Sequence, residues 1–343
     1  MVVATWNRRA SIERLLLQLA LQSLPAADYE VVVVDDGSME PVKPALEALA
    51  ATLPYQLVVL RQDNAGAAVA RHRGVCAASA PLLVITDDDM QIDRDYLELH
   101  LRAHQAGPVV AVGRIRPDPA VAAMPLYERW IADVNARSGD LAASGRAPLD
   151  GTALLTGNVS LPRAEYLAVG GFDPSLRRAE DSELGLRLEK HGLKFVFLDH
   201  AHVFHGSDVP TLHALLVRAR SYGVFDSRIS RKHADLPHAS PWRHLVKINP
   251  VARPLIGAAF LWPGLSAPVS TLGIAAVEAA DRFGRGRSWL ARRGRGLADR
   301  LAFKATAVVY AMEYFRGVRA EAPSLLAGLG ELTSYLGRRL EAP

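Results

Sequence analysis

Four consecutive valines, Val31–Val34, run directly into two aspartates, Asp35 and Asp36. A second apolar run, Leu82–Thr86, also ends in acids, Asp87–Asp89. Such uninterrupted runs are typical of strands buried on both faces of a parallel sheet, because a strand with one solvated face alternates apolar and polar residues. The two runs therefore favour an α/β fold, in which a mostly parallel sheet is flanked by helices.

Short apolar runs alternate with amphipathic stretches over the first two-thirds of the chain. The predicted strands are Met1–Ala4, Glu30–Val34, Gln56–Leu60, Leu82–Ile85, Val109–Gly113, Ala153–Leu155 and Lys194–Leu198. The predicted helices lie near Ile12–Ser23, Pro44–Ala51, Ala67–Ala78 and Asp93–Ala106, and Ser11 is the expected N-cap of the first. Because this pattern ends near Pro237, we predict an α/β domain over residues 1–230 and a helical region over 231–343.

Composition excludes several classes of protein. Half of the 343 residues are hydrophobic and 22% are charged, which excludes wholesale disorder. The net charge of +4 is too small to indicate nucleic-acid binding. A single cysteine, Cys76, excludes an intrachain disulfide framework and favours a reducing compartment. No basic-then-apolar leader precedes the first strand, so we expect a cytoplasmic location, although Met1 stands so close to that strand that the true start stays open.

The acids that follow the two buried runs are expected to meet at one rim of the sheet. Residues just beyond the carboxyl ends of parallel strands line the ligand crevice of an open α/β sheet. Clustered carboxylates repel one another, and an all-oxygen cluster suits a hard divalent cation such as Mg²⁺ or Mn²⁺. Two simpler interpretations stay open: Asp35–Ser38 is also a good turn sequence, and Asp87–Asp89 also suits a helix start.

Two later segments carry charges at helix starts. Asn64 and Gly66 form a turn before a predicted helix, and Arg71 falls in the first turns, where the helix dipole disfavours a cation. A ligand or an acidic neighbour would explain Arg71, and a solvated arginine is an equal alternative. Glu180 and Asp181 begin another predicted helix, where dipole stabilisation alone is the simpler explanation.

Seven segments in uninterrupted order over roughly residues 1–225 resemble glycosyltransferase family 2. They are VVATWNR from Val2, VVVVDDGS from Val31, DNAGAAVARHRG from Asp63, LLVITDDDM from Leu82, TGNVSLPRAEYLAVGGFD from Thr156, AEDSELGLRLEKHG from Ala179 and the segment around His205. The resemblance implies a GT-A fold and transfer of a sugar from a nucleotide-sugar donor with inversion at the anomeric carbon.

The resemblance also implies roles for single residues. The residues implied to bind the nucleotide sugar are Thr5, Asp35, Asp36, Asn64, Arg71, Asp88, Gly157 and Asn158. Among them, Thr5 and Asp36 would contact the nucleoside, and Gly157 and Asn158 would line the donor-sugar or acceptor side. Asp87 and Asp89 would form the metal-binding D-x-D element, with His205 as a further metal ligand. Asp181 would be the catalytic base, with Glu180 as the less favoured choice.

The implied chemistry agrees with these residue types. Direct displacement needs one base for the acceptor hydroxyl and stabilisation of the departing nucleoside diphosphate, which Mn²⁺ or Mg²⁺ supplies. A UDP-sugar is the default donor in the family, and the expected acceptor is a hydroxyl of a bacterial surface glycan or a lipid-linked precursor. A polyprenyl-phosphate acceptor and a non-catalytic binding subunit are the alternatives.

The last third of the chain indicates a membrane surface. Residues 254–277 contain no charge, and residues 281–300 contain seven arginines and two acids. The order of apolar then basic residues suits the cytoplasmic face of a membrane that contains anionic lipids. Because Pro263 and Pro268 would interrupt a spanning helix, we predict a re-entrant or interfacial segment, with a soluble helical cap as the alternative. Nucleic acid is not an expected partner, because no aromatic stacking pattern accompanies the arginines.

Overall fold

The computed structural model describes residues 1–120, 124–206, 211–285 and 295–341. The chain folds into two compact units, one formed by Met1–Ala120 and Ala132–Gly206 and the other by Val121–Ile131 and Ser207–Pro343. This division precedes the predicted boundary at 230, because helix α8, Leu212–Lys232, packs along a helix of the second unit, α12, Arg295–Glu321. The two helices approach backbone to backbone where Gly223 lies against Tyr314.

The first unit is built on a mixed sheet of eight strands. The strands are β1 Val2–Thr5, β2 Glu30–Asp36, β3 Gln56–Gln62, β4 Leu82–Asp87, β5 Met90–Ile92, β6 Val109–Pro117, β7 Asn158–Pro162 and β8 Lys194–His205. Their order across the sheet is β3-β2-β1-β4-β7-β6-β8-β5. The strands β3, β2, β1 and β4 are parallel, β7 runs antiparallel to both β4 and β6, and β5 runs antiparallel to β8.

The two faces of the sheet are both buried, as the valine run predicts. Val32 and Val34 pack into one hydrophobic core, and Val31 and Val33 pack into the other. The covering helices are α1 Arg9–Leu19, α2 Lys43–Ala50, α3 Ala67–Ala77, α4 Tyr96–Ala103, α6 Arg163–Ala168 and α7 Glu180–Lys190. A further helix, α5, Leu126–Ala143, begins in the second unit and ends in the first. This architecture is the GT-A fold.

Two local predictions are wrong. The predicted strand Ala153–Leu155 is a short 3-10 helix at Gly151–Ala153, because the Asp150 side chain accepts a hydrogen bond from the Thr152 backbone and closes a turn there. The strand of this region begins at Asn158 instead. Ser11 is not an N-cap, because α1 begins at Arg9.

The second unit is helical. Besides α8 and α12 it contains α9 Trp242–Lys247, α10 Arg253–Leu261, α11 Pro263–Arg285 and α13 Leu325–Glu341, around a core in which Trp242 packs on Phe260 and Phe315. The uncharged stretch 254–277 is divided at Trp262, as predicted from Pro263, whereas Pro268 lies inside α11.

No helix among the described residues combines the length and apolar character of a membrane-spanning segment. Of the basic segment 281–300, residues 286–294 lie outside the described residues.

Candidate active site

The acids that follow β2 and β4 lie at one rim, because the parallel strands are in register up to their carboxyl ends. Ala4 of β1 lies opposite Asp87 of β4, and Thr5 lies opposite Asp35 of β2. The predicted gathering of carboxylates at this edge of the sheet is therefore present. Two arginines divide the nearby acids into two groups.

Arg71 holds the first group together from within α3. Its Nη2 donates to Asp87 Oδ1 at 2.5 Å, and its Nη1 donates to Glu180 Oε1 at 2.9 Å. The side chain is almost wholly buried, and burial disfavours its charge, but the two acids still hold the pKa of Arg71 above its usual value. Acidic neighbours therefore account for the arginine that the helix dipole disfavours. The same contacts join the end of β4 to the start of α7.

Asp181 lies next to this group at the start of α7. Its Oδ1 accepts a hydrogen bond of 2.8 Å from the Ser182 backbone N–H. Burial and the neighbouring Glu180 carboxylate raise the pKa of Asp181 to about 7. The preceding residue, Ala179, has a left-handed backbone conformation with φ of 56°, which is costly for a residue with a Cβ. The chain therefore accepts local strain where it presents Glu180 and Asp181.

A close backbone contact fixes the position of α7. A Cβ added at Gly185 would lie 2.0 Å from the Gly151 carbonyl oxygen, so no larger residue fits there. Further along α7, Glu183 is fully buried and pairs with Arg187 at 2.6 Å. That acid therefore stabilises the helix and lies apart from the carboxylates at the helix start.

Arg8 holds the second group, and the sequence analysis gave it no role. Its Nη1 donates to Asp88 Oδ1 at 3.1 Å and to Asp89 Oδ2 at 2.6 Å. The Thr5 hydroxyl donates to Asp88 Oδ2 at 2.6 Å, so Thr5 orients an acid and is itself only 2% exposed. Burial raises the pKa of Asp88 to about 6. The available signal was the position of Arg8, just beyond the carboxyl end of β1.

His205 reaches this group through an irregularity in β8. Between the pairs Gly113–Leu198 and Ile115–Val203, strand β6 advances by two residues and β8 by five. The bulged strand then pairs with β5, and His205 lies opposite Met90. This places its Nε2 3.5 Å from Asp89 Oδ2.

Asp89 is the acid best suited to a cation. Burial would raise its pKa, but the hydrogen bond from His205 and the charges of His205 and Arg8 keep it below the usual value. Its Oδ1 is buried and has no hydrogen-bond partner among the described residues. Within the described part of the chain, no three histidine, cysteine or acidic side chains are already arranged around one metal position. Asp87, Asp89 and His205 are thus not one preassembled cluster; Asp87 pairs with Arg71, and Asp89 pairs with Arg8 and His205.

Asp35 and Asp36 hold two loops in place. Asp35 accepts hydrogen bonds from the Ser38 backbone at 2.9 Å and from Arg61 at 2.5 Å, which together keep its pKa low despite burial. Asp36 accepts bonds of 2.9 Å from the backbone N–H groups of Ala65 and Gly66.

Asn64 completes the second of these loops by donating to the Asp36 carbonyl at 2.9 Å. The predicted nucleoside contacts therefore stay predictions, and what the structure assigns to these residues is the shape of the rim around them.

Gly157 and Asn158 have different surroundings. Gly157 borders the acids, since an added Cβ would lie 3.3 Å from Asp87 Oδ2. Asn158 is fully buried, and its amide donates to the carbonyls of Arg114 and Ala201 at 3.0 and 2.8 Å. The Asn158 side chain is therefore enclosed by strands and α4, and its place on the donor-sugar or acceptor side stays a prediction.

Comparison with known proteins agrees with this architecture. The structure of a mannosyltransferase from Pyrobaculum calidifontis, PcManGT, in complex with GDP-Man and Mn²⁺, aligns over 97% of this chain and 86% of that chain, with a TM-score of 0.58 and 19% identity. This likeness concerns the fold. Both proteins are GT-A structures.

The sequence comparisons identify the family. The model of glycosyl transferase family 2 matches residues 1–145, and that of glycosyl transferase family group 2 matches residues 82–278. The chain belongs to glycosyltransferase family 2, as its motifs predicted.

Individual relatives match only part of their length. A validoxylamine A glucosyltransferase from Streptomyces hygroscopicus subsp. jinggangensis is 32% identical over 220 residues, which are 56% of this chain and 51% of the relative. A dolichol-phosphate mannosyltransferase from Pyrococcus furiosus is 30% identical over 134 residues, 38% of this chain and 37% of the relative. The chain thus spans about half, or less, of the length of these curated relatives.

Proposed function

We propose that this chain transfers a sugar from a nucleoside-diphosphate sugar to a hydroxyl acceptor, with inversion at the anomeric carbon. The observation that carries the proposal is the rim itself. There, five carboxylates from β4 and α7 lie around two arginines, and one of these carboxyls, Asp181, has its pKa raised to about 7. Excess negative charge suits a cation and a diphosphate together, and a carboxylate with that pKa suits a general base near neutral pH.

Asp181 is the better base of the two neighbouring acids. Glu180 is already bound to the Arg71 guanidinium, whereas the Asp181 carboxylate accepts the weaker hydrogen bond from the Ser182 backbone N–H. In the reaction, the acceptor oxygen forms a bond to the anomeric carbon while the bond from that carbon to the β-phosphate oxygen breaks. The acceptor proton passes to Asp181, and the electron pair of the broken bond leaves with the diphosphate.

The residues at the rim fit a divalent cation, Mn²⁺ or Mg²⁺. Asp89 offers a buried carboxylate oxygen that no described residue bonds, and His205 lies beside this carboxylate; these two, with Asp87, would hold the ion. When bound, the ion supplies Lewis-acid stabilisation of the leaving diphosphate. Arg8 contacts Asp88 and Asp89 and is positioned to exchange one of them for a phosphate oxygen.

UDP is the favoured nucleotide, by the frequency of UDP-sugars in the family. The similarity to a glucosyltransferase supports a hexosyl donor, and the GDP-Man and Mn²⁺ bound by the PcManGT structure make GDP-sugars the first alternative. We infer an acceptor hydroxyl on a bacterial surface glycan or a lipid-linked precursor. The partial match to a dolichol-phosphate mannosyltransferase keeps a polyprenyl-phosphate acceptor as the second candidate.

Calorimetric titration of the full chain with UDP, with and without Mn²⁺, tests the donor site. We expect binding that Mn²⁺ strengthens and that Asp89→Asn reduces to the metal-free level. Asp93→Asn is the matched control, because its side chain is 52% exposed and pairs with His202 outside the rim. Absence of binding to UDP, GDP and dTDP in both metal states would refute the proposal.

The base is tested separately by Asp181→Asn and Glu180→Gln. Asp181→Asn is expected to lower sugar transfer at least 100-fold while UDP affinity stays within twofold, because removing a general base typically costs about 10²–10⁴-fold. Full activity of Asp181→Asn would remove this assignment. NMR of the product identifies the anomer, and retention of configuration would contradict direct displacement.

A further inference from the structure

The second unit turns apolar side chains outward along α10 and α11. Leu255 in α10 is 50% exposed, and Leu272 in α11 is 71% exposed. Trp262, at the break between the two helices, is 57% exposed, and Val269 is 47% exposed. Single exposed apolar residues are common on protein surfaces, but four within eighteen residues that contain no charge form a continuous feature of the sequence.

The first turns of α11 also bury polar side chains, which is the reverse of what is usual for a helix in water. Ser266 and Ser270 are 5% and 2% exposed, and within the part of the chain that the structure describes the Ser270 hydroxyl has no hydrogen-bond partner. Gly273 faces the same way, because a Cβ there would lie 2.6 Å from Val309 of α12. A water-exposed helix normally buries its apolar stripe and exposes its polar one. Small and polar residues inward with large apolar ones outward suit a helix whose outer face meets an apolar medium.

The sequence around this face is mainly basic. Residues 236–277 contain no aspartate or glutamate, and their charged residues are Arg243, Lys247 and Arg253. In the sequence that follows, residues 278–300 add seven arginines against three acids, of which Glu278 is exposed on α11. Apolar helices with basic neighbours and an exposed tryptophan are typical of segments that lie in the interface of an anionic bilayer.

We propose that the outward face of α10 and α11, defined by Leu255, Trp262, Val269 and Leu272, docks on the surface of an anionic phospholipid bilayer. The apolar side chains enter the boundary between headgroups and acyl chains, and the basic sequence around them favours anionic headgroups. This surface is separate from the acid rim of the first unit. Its test therefore requires neither donor binding nor sugar transfer.

Co-sedimentation with vesicles tests the surface. We expect the full chain to bind vesicles of phosphatidylcholine with 30% phosphatidylglycerol, and to bind pure phosphatidylcholine at least tenfold more weakly, because each basic residue near the surface contributes about 1 kcal/mol. Leu272→Glu is expected to lower the partition coefficient about tenfold, since it replaces buried apolar area by a charge. The matched control is Leu21→Glu on the first unit, where Leu21 is 68% exposed. Circular dichroism of both variants checks that they are folded.

A fluorescence measurement keeps the proposal testable if Leu272→Glu misfolds. Quenching of tryptophan emission by brominated phosphatidylcholine in the anionic vesicles is expected to drop in Trp262→Phe, which retains an aromatic side chain. Equal vesicle binding by the wild type, Leu272→Glu and Leu21→Glu would overturn the proposal. A stable dimer that Leu272→Glu dissociates, without vesicle binding by the wild type, would overturn it in favour of a second copy of the chain.

Discussion

His100 is the basis of a prediction about stability and pH. Asn158 donates its amide to two backbone carbonyls, so its Oδ1 faces His100 and can only accept. The His100 Nε2 atom, 2.9 Å from that Oδ1, must therefore carry the proton. His100 Nδ1 consequently accepts from the Ser160 hydroxyl at 2.8 Å, and Ser160 in turn is contacted by His104 Nε2 at 2.8 Å. The hydrogen-bond donors and acceptors of this network are matched only while His100 is neutral.

The size of the effect follows from the pKa. Complete burial lowers the pKa of His100 from 6.5 to about 4. Because the unfolded chain binds this proton more tightly than the folded one, stability decreases as the pH falls below about 6.5, and the decrease levels off below about 4. The shift corresponds to about 3 kcal/mol in full, of which about 2 kcal/mol is lost between pH 7.5 and pH 5.

Urea unfolding of the wild type and of His100→Gln at pH 7.5 and pH 5 measures this loss. Glutamine keeps a donor near Asn158 but does not titrate, so the variant is expected to be less stable by about 1 kcal/mol at pH 7.5. Its loss between the two pH values should be about 2 kcal/mol smaller than that of the wild type. His213→Gln is the control, because His213 is exposed. Equal losses in the wild type and in His100→Gln would refute the tautomer argument and the buried neutral histidine.

Three further results are expected. The kcat/KM for transfer should rise with pH and level off above an apparent pKa near 7, since Asp181 must be deprotonated to accept a proton and its pKa is raised to about 7; a flat profile between pH 5.5 and 8.5 would contradict this. Gly185→Ala should lower kcat at least tenfold while calorimetry shows UDP affinity within twofold, because a Cβ 2.0 Å from the Gly151 oxygen must displace α7 and its acids. Gly113→Ala should reduce the free energy of unfolding by about 1–3 kcal/mol, because its Cβ would lie 2.3 Å from the Asn158 amide nitrogen; Gly257→Ala, with no atom within 4 Å, is the helical control and should not destabilise.

Much of the first unit could be predicted because its signals are local. The valine run of β2 indicates burial on both faces within four residues, and the acids come directly after the apolar runs of β2 and β4. The missed strand β7 has a different cause. It is short, runs antiparallel to both neighbours and follows a capped turn, so neither length nor alternation distinguishes it from the loop before it.

Contacts between residues that are far apart along the chain could not be predicted from local sequence patterns. The two acids that explain Arg71 lie 16 and 109 residues away along the chain, so an isolated arginine and a bridging one have the same local pattern. Asn158 shows a second limit of prediction from the sequence. Its motif suggested a ligand contact, whereas the carbonyls and ring nitrogen that saturate its amide belong to other strands and to α4.

The bulge in β8 makes the position of His205 depend on the pairs that follow the bulge, and not on the number of residues before them. Side chains in a regular strand face alternate sides, but β8 advances by five residues while β6 advances by two, so the alternation is already broken between Leu198 and Val203. The pairs of Val203 with Ile115 and of His205 with Met90 set which side these two residues take. Loss of these pairs would turn His205 away from Asp89 and the buried Val203 out of the core. Variation in the length of the bulge is therefore expected to be tolerated as long as both pairs persist.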